Sequence, residues 1–276
     1  MSTWQTFLLG GIAGSTIFIG LPMARVRGLK LGVRAAMTAI STGILIFLLW
    51  DVLTNGVEPV QAALDTHAWG RFAGRTALLA GGFTVGLMSL VYYDWWLKCR
   101  RKSPMIGPGA AALEEFEHRV ADRLSPAQRL ALLIAMGIGL HNFGEGLAIG
   151  QSAASDQIAL AVVLIIGFGL HNATEGFGVT GPLAADDHHP SWGFLGLLGL
   201  IGGGPTFLGT ILGYAWVSEA LQVLFFALAA GSILYVVMEL VSVCRRFSMP
   251  TLVTWMILLG IVLGFGTDFV LTAVGA

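Results

Sequence analysis

Charge is what this 276-residue chain has least of: Asp, Glu, Lys and Arg together make up 11% of it. A water-soluble domain typically carries about 25%, because its surface faces water. Most of this surface must therefore face hydrocarbon, in keeping with a hydrophobic share of 55%. Cysteine is scarcer still. Cys99 and Cys244 each precede an arginine at the end of an apolar run and have no CxxC spacing, which speaks against a redox motif or a zinc clip. They read as reduced thiols at the membrane edge. No HExxH occurs, so the helical zinc-protease arrangement is missing. A net charge of −1, with no basic stripe, offers nucleic acid nothing to bind.

What is present is a series of apolar runs. About 20 residues of helix cross a bilayer, and eight runs reach that scale: Trp4–Met23, Ala35–Leu53, Thr76–Leu97, Ala127–Gly150, Ile158–Thr180, Trp192–Val217, Ala220–Val243 and Pro250–Ala273. The Gly203–Pro205 break and the short joint after it make the sixth and seventh the least regular. With eight spans, thirteen of the fifteen basic residues fall on one side, in the segments around Arg25–Arg34, Lys98–Arg129 and Arg245–Arg246. Only Arg71 and Arg75 lie opposite. Positive loops stay cytoplasmic. The expectation is an all-α, polytopic membrane helix bundle, a single domain over 1–276 with both termini outside.

The first run has no basic residue ahead of it and carries its positive charge behind, the reverse of a cleaved signal. It is read as a retained helix. The one long loop, 98–126, faces the cytoplasm. Its stretch AALEEFEHRVADRL is either a short surface helix or a solvated linker, and Ser125-Pro126 reads as an N-cap and first-turn proline opening the fourth span. Asp186, Asp187, His188 and His189 read as a polar turn. The 38 glycines are scattered through the spans, where small residues let membrane helices approach closely.

Two segments thirty residues apart are near copies. GIGLHNFGEG (137–146) and GFGLHNATEG (167–176) share seven of ten positions, and the shared residues include His141/His171, Asn142/Asn172 and Glu145/Glu175. On a helix, residues four apart lie about 40° from one another and residues three apart about 60°, so each trio shares one face. Consecutive spans run antiparallel. A turn near Ile158 brings His141 level with Glu175, and Glu145 level with His171, within a slab about one helical turn, or 5 Å, tall.

A charged group at the bilayer centre costs about 2.5–3.5 kcal/mol on insertion scales, and two adjoining carboxylates raise each other's pKa. A divalent cation cancels both charges while neutral imidazoles complete its shell. Imidazole with carboxylate suits zinc, iron, nickel or copper rather than calcium or magnesium. An internally satisfied polar network and a proton relay are the other readings of these six residues. Paired haem ligation does not require carboxylates one turn from each histidine.

At these residues the chain resembles the ZIP family of metal-ion transporters, its GufA-like bacterial branch in particular, which carries an HN-x-P-E-G motif on the fourth span and a related one on the fifth. The similarity continues in GGIAGSTIFIGLP, STGILIFLLWDVL, LGTILGY and AAGSILYVVMEL, so it covers nearly the whole chain. The resemblance implies uptake of zinc, or of iron, manganese, cobalt or cadmium, toward the cytoplasm. It also implies a multi-pass protein of the cell (inner or plasma) membrane, with no prosthetic group and no enzymatic activity, whose partners are metal ions and lipid. A homodimer is compatible with it. The family's elevator-like motion slides spans one and four to six against the other four. His141, Glu145, His171 and Glu175 would hold the principal ion, and Asn142 and Asn172 would share a neighbouring one with the glutamates.

The chain departs from the family at the motif prolines, replaced by Gly144 and Thr174, and at Thr206, where relatives often have a glutamate. The long histidine-rich loop of some members is missing. Glu239 matches the family's seventh-span motif and is expected on the release path. Asp51 is either a pore-mouth carboxylate or a span-end acid; Asp94 and Asp268 read as span-end acids. Outside transport, the same ligands would serve an intramembrane metal-dependent enzyme or a non-transporting metal-binding relative.

Overall fold

The structure, a computed structural model, describes residues 2–26, 30–100, 124–155, 158–184, 190–216 and 218–273. The side chains of some helix residues, among them Asp94, Cys99, His171 and Thr174, lie outside the described part. So do the segment containing AALEEFEHRVADRL and the Asp186, Asp187, His188 and His189 turn. The described residues form helices and no strand, as an all-α reading requires: α1 (Thr3–Ser15), α2 (Leu31–Asp65), α3 (Trp69–Arg100), α4 (Pro126–Ala154), α5 (Ile158–Ala184), α6 (Trp192–Ala215), α7 (Glu219–Arg246) and α8 (Pro250–Ala273).

Among the described residues, seven stretches are long and apolar enough to cross a membrane: α1 with its extension, α2, α3, α4, α6, α7 and α8. Helix α5 has 27 residues, about 40 Å at the helical rise. Tryptophans mark the boundary with water. Trp4, Trp69, Trp95, Trp192, Trp216 and Trp255 lie near helix ends and are mostly exposed, where an indole rests between headgroup and hydrocarbon.

Local chemistry sets the ends. Ser2 and Ser125 each cap a helix and exchange hydrogen bonds with the glutamine three residues on, the reciprocal capping box. Helix α1 tightens into two 3₁₀ turns, Thr16–Ile19 and Leu21–Arg25. The Ser15 and Thr16 hydroxyls donate to the carbonyls of Ile12 and Ala13, both at 2.7 Å, which competes with the α ladder. Pro22 then removes a donor.

The apolar runs Ala35–Leu53 and Thr76–Leu97 are only the middles of longer helices. Helix α2 has 35 residues, roughly 52 Å against a hydrocarbon core of about 30 Å. Pro59 denies the Asn55 carbonyl its ladder partner, yet the helix continues through it. The Pro59 carbonyl accepts from Arg75 Nη1 at 2.8 Å, and Arg75 also pairs with Glu219. That ties together the ends of α2, α3 and α7. Pro205 likewise lies inside an unbroken α6, so the Gly203–Pro205 break is not a break in the helix.

The helices pack as two groups. In one, α1, α4, α5 and α6 meet backbone to backbone. A Cβ added at Gly146 or Gly150 would strike the Thr206 or Thr210 carbonyl of α6, and one at Gly209 or Gly213 would strike α4 in return. Gly14 and Gly203 close α1 on α6 in the same way. In the other group, α2 meets α8 at Gly43 and Gly260, and α3 meets α7 at Gly86 and Gly231, again on carbonyls. Between the groups, no glycine of the described residues is closed by a carbonyl oxygen. A Cβ at Gly137 of α4 would find Ser232 of α7 at 3.6 Å, and one at Gly181 of α5 would find the Ser41 hydroxyl of α2 at 3.5 Å.

Candidate metal centre

The duplicated motifs lie inside α4 and α5 with the polar residues described there buried. His141, Asn142, Glu145, Asn172 and Glu175 are each at most 3% exposed. His141 Nε2 is 3.2 Å from Glu145 Oε1 on its own helix and 3.7 Å from Glu175 Oε1 across the antiparallel pair. His141 and Glu175 thus stand level. One imidazole here faces two carboxylates from two helices, deep in apolar surroundings. The His171 side chain lies outside the described residues. Among the described residues no three His, Cys, Asp or Glu groups are spaced as a ready-made metal shell.

The asparagines divide their amides in the same way on both helices. Asn142 Nδ2 donates to the Gly202 carbonyl of α6 at 2.9 Å, and Asn172 Nδ2 donates to the Ala13 carbonyl of α1 at 3.1 Å. Asn142 also lies beside Glu175. Asn142 Oδ1, Asn172 Oδ1 and Glu145 Oε2 are buried with no hydrogen-bond partner among the described residues. Buried oxygens in that condition cost about 1–3 kcal/mol each. They are also hard, anionic or dipolar ligands, which a cation satisfies. The backbone bonds hold each amide in place and fix which way its oxygen points.

Thr206 is fully buried on α6, between Gly14 of α1 and Gly146 of α4, and its hydroxyl too has no partner among the described residues. It adjoins the asparagine side of the cluster, one turn from Gly202. Asp51 on α2 interacts electrostatically with His141, Glu145 and Asp268, so it belongs to the surroundings of the cluster. Its carboxylate also accepts from Asn55 Nδ2 at 3.2 Å. Glu239 is half-buried on α7, in the half nearer Arg246 and away from the motifs.

Sequence reasoning had no access to the anchoring carbonyls of Ala13 and Gly202, since any residue supplies a carbonyl. Nor did it single out Thr38 and Ser41 of α2, whose hydroxyls donate to α5. The available signal was three hydroxyl residues, Thr38, Ser41 and Thr42, on an otherwise apolar stretch of helix.

Fold and cluster together define a multi-pass helical membrane protein with a buried group of imidazole, carboxylate and amide side chains. Residues 99–272 match the family model described as ZIP zinc transporter, and with well over half of the chain covered the protein belongs to the ZIP zinc transporter family. It is accordingly a transporter of divalent metal ions and not an enzyme. No curated protein matches the chain.

Proposed function

We propose that the protein carries divalent transition-metal ions, zinc first and iron(II) next, toward the cytoplasm across a cell membrane. The ion is held by His141, Asn142, Glu145, His171, Asn172 and Glu175. One observation supports this above others: Glu145 and Glu175 bring two carboxylates to one imidazole in a site that is nearly closed to solvent. A dication neutralises both carboxylates, and a low dielectric makes that neutralisation strong.

The chain crosses the membrane eight times with both ends outside, α5 being the eighth span, a reading that the segregation of thirteen basic residues supports. Asp51 lies on the outer approach and Glu239 on the inner exit. With Thr206 in place of a carboxylate, one ion rather than two is bound. The likeness to the GufA-like branch fits this ligand set. Transport is elevator-like: α1, α4, α5 and α6, locked together by carbonyl-to-glycine contacts, slide as a body against α2, α3, α7 and α8. Sliding is easiest where no backbone interlocks, and the carbonyl-to-glycine contacts all lie within the groups.

The test is zinc uptake by proteoliposomes containing the Glu145→Ala, Glu175→Ala double variant. Uptake is expected to vanish while the protein remains a folded, monodisperse helical species in detergent. Undiminished uptake would refute the assignment.

A further inference from the structure

The seam between α2 and α5 joins the two groups with hydroxyls, and each hydroxyl has a second acceptor on its own helix. Thr38 Oγ1 donates to the Gly181 carbonyl of α5 at 3.1 Å and to the Arg34 carbonyl at 3.0 Å. Ser41 Oγ lies 3.1 Å from the Phe177 carbonyl of α5 and 2.9 Å from the Met37 carbonyl. When the partner on α5 moves away, neither hydroxyl is left without an acceptor. The larger penalty of stranding a buried hydroxyl is thereby avoided, and only the interhelical bonds themselves have to break.

The spacing adds a second property. The acceptors Phe177 and Gly181 are four residues apart on α5, and Arg34 and Thr38 are four apart on α2, so each pair repeats at one helical turn. The helices run antiparallel, with Thr38 opposite Gly181 and Ser41 opposite Phe177. If α5 moves one turn, about 5.4 Å, toward the Lys30 end of α2, the Phe177 carbonyl arrives at Thr38 and the Gly181 carbonyl at Arg34. The Thr38 hydroxyl then meets an α5 carbonyl again, while the Ser41 hydroxyl keeps the Met37 carbonyl of its own helix.

We propose that Thr38 and Ser41 are positioning residues that hold the metal-bearing group in a discrete register, and that transport steps α5 one turn along α2, exchanging Thr38–Gly181 for Thr38–Phe177. This rests on the proposed sliding of the two groups, and it adds the size of the step and the residues that define its end points. Neither hydroxyl is a metal ligand. Their removal is expected to change the rate of the step and leave zinc affinity alone.

Two measurements in proteoliposomes test it, in a background where Cys99 and Cys244 are replaced by serine. First, Thr38→Cys is paired with Gly181→Cys or with Phe177→Cys and oxidised with iodine. The 38–181 pair is expected to cross-link without zinc, the 38–177 pair only when zinc is being transported, and each cross-link to stop flux. Full flux through cross-linked 38–181 protein would overturn the proposal, as would failure of 38–177 to form in a protein that transports. Secondly, Thr38→Val with Ser41→Ala is expected to raise maximal uptake about tenfold, the factor that 1.4 kcal/mol of barrier represents, at unchanged KM. Thr38→Ser with Ser41→Thr should restore the original rate. Slower uptake that the hydroxyl-keeping pair does not restore would mean a merely structural role. The metal-site reading is judged separately, by calorimetric zinc binding and by the double glutamate variant.

Discussion

The α4 and α5 copies of the motif have the same chemistry and different backing. On α4, Gly139 and Gly146 are both closed by carbonyls of α6, Ile201 and Thr206, so that copy lies against a continuous helix. On α5, Gly176 is closed by the Ile17 carbonyl and by Gly20, whereas a Cβ at Gly169 would meet only the Thr16 methyl at 3.6 Å and the Ala13 Cα at 3.9 Å. That copy lies against the place where α1 tightens from α into 3₁₀. The two copies thus keep the same polar groups, and each has its own means of being held in place.

The largest expected effect tests whether the two copies are functionally equivalent. Glu145→Gln and Glu175→Gln are each predicted to lower zinc uptake on the order of 100-fold, the scale of losing a metal-site interaction. A near-normal rate for either one would break the equivalence. Backing comes next. Gly139→Ala should cost about 1–3 kcal/mol of stability through overpacking, and Gly169→Ala under about 1 kcal/mol, compared by thermal unfolding in detergent. Equal losses would mean that the two helices are backed alike. A smaller effect concerns the missing motif proline. A Cβ at Gly144 would lie 2.8 Å from the Phe226 ring of α7, so Gly144→Pro should impair uptake several-fold alone and less with Phe226→Ala, a coupling a double-mutant cycle can measure. The mildest perturbation is acidification. Protons compete with the metal for imidazole and carboxylate ligands, so uptake should fall reversibly, by a few-fold, between about pH 7.5 and about pH 5.5, and recover as pH is raised.

Much of this was legible in the sequence because hydrocarbon imposes few solutions. Apolar length marks where the long helices lie, and the polar residues repeated at helical spacing in GLHNFGEG and GLHNATEG pointed to a buried polar cluster on two helices. Ser125-Pro126 announced its helix start, because capping is local chemistry. The extent of α2 and α3 was not legible. Residues 54–65 and 69–75 are helical without being apolar, held by tertiary ties such as Arg75 to Pro59 and Glu219. The role of the glycines was only half legible: their number predicted close packing, and only the coordinates show which carbonyl each one admits.

Exposed indoles occur on both groups of helices, Trp4, Trp192 and Trp216 on one and Trp50, Trp69, Trp95 and Trp255 on the other. Each anchors its helix at a fixed depth, and a helix displaced along the membrane normal takes its anchors out of the headgroup layer at a cost that grows with mismatch. If one group moves and the other stays, lipid thickness enters the energy of the stroke. Bilayers of shorter or longer acyl chains would then change the turnover of this transporter without altering a single ligand.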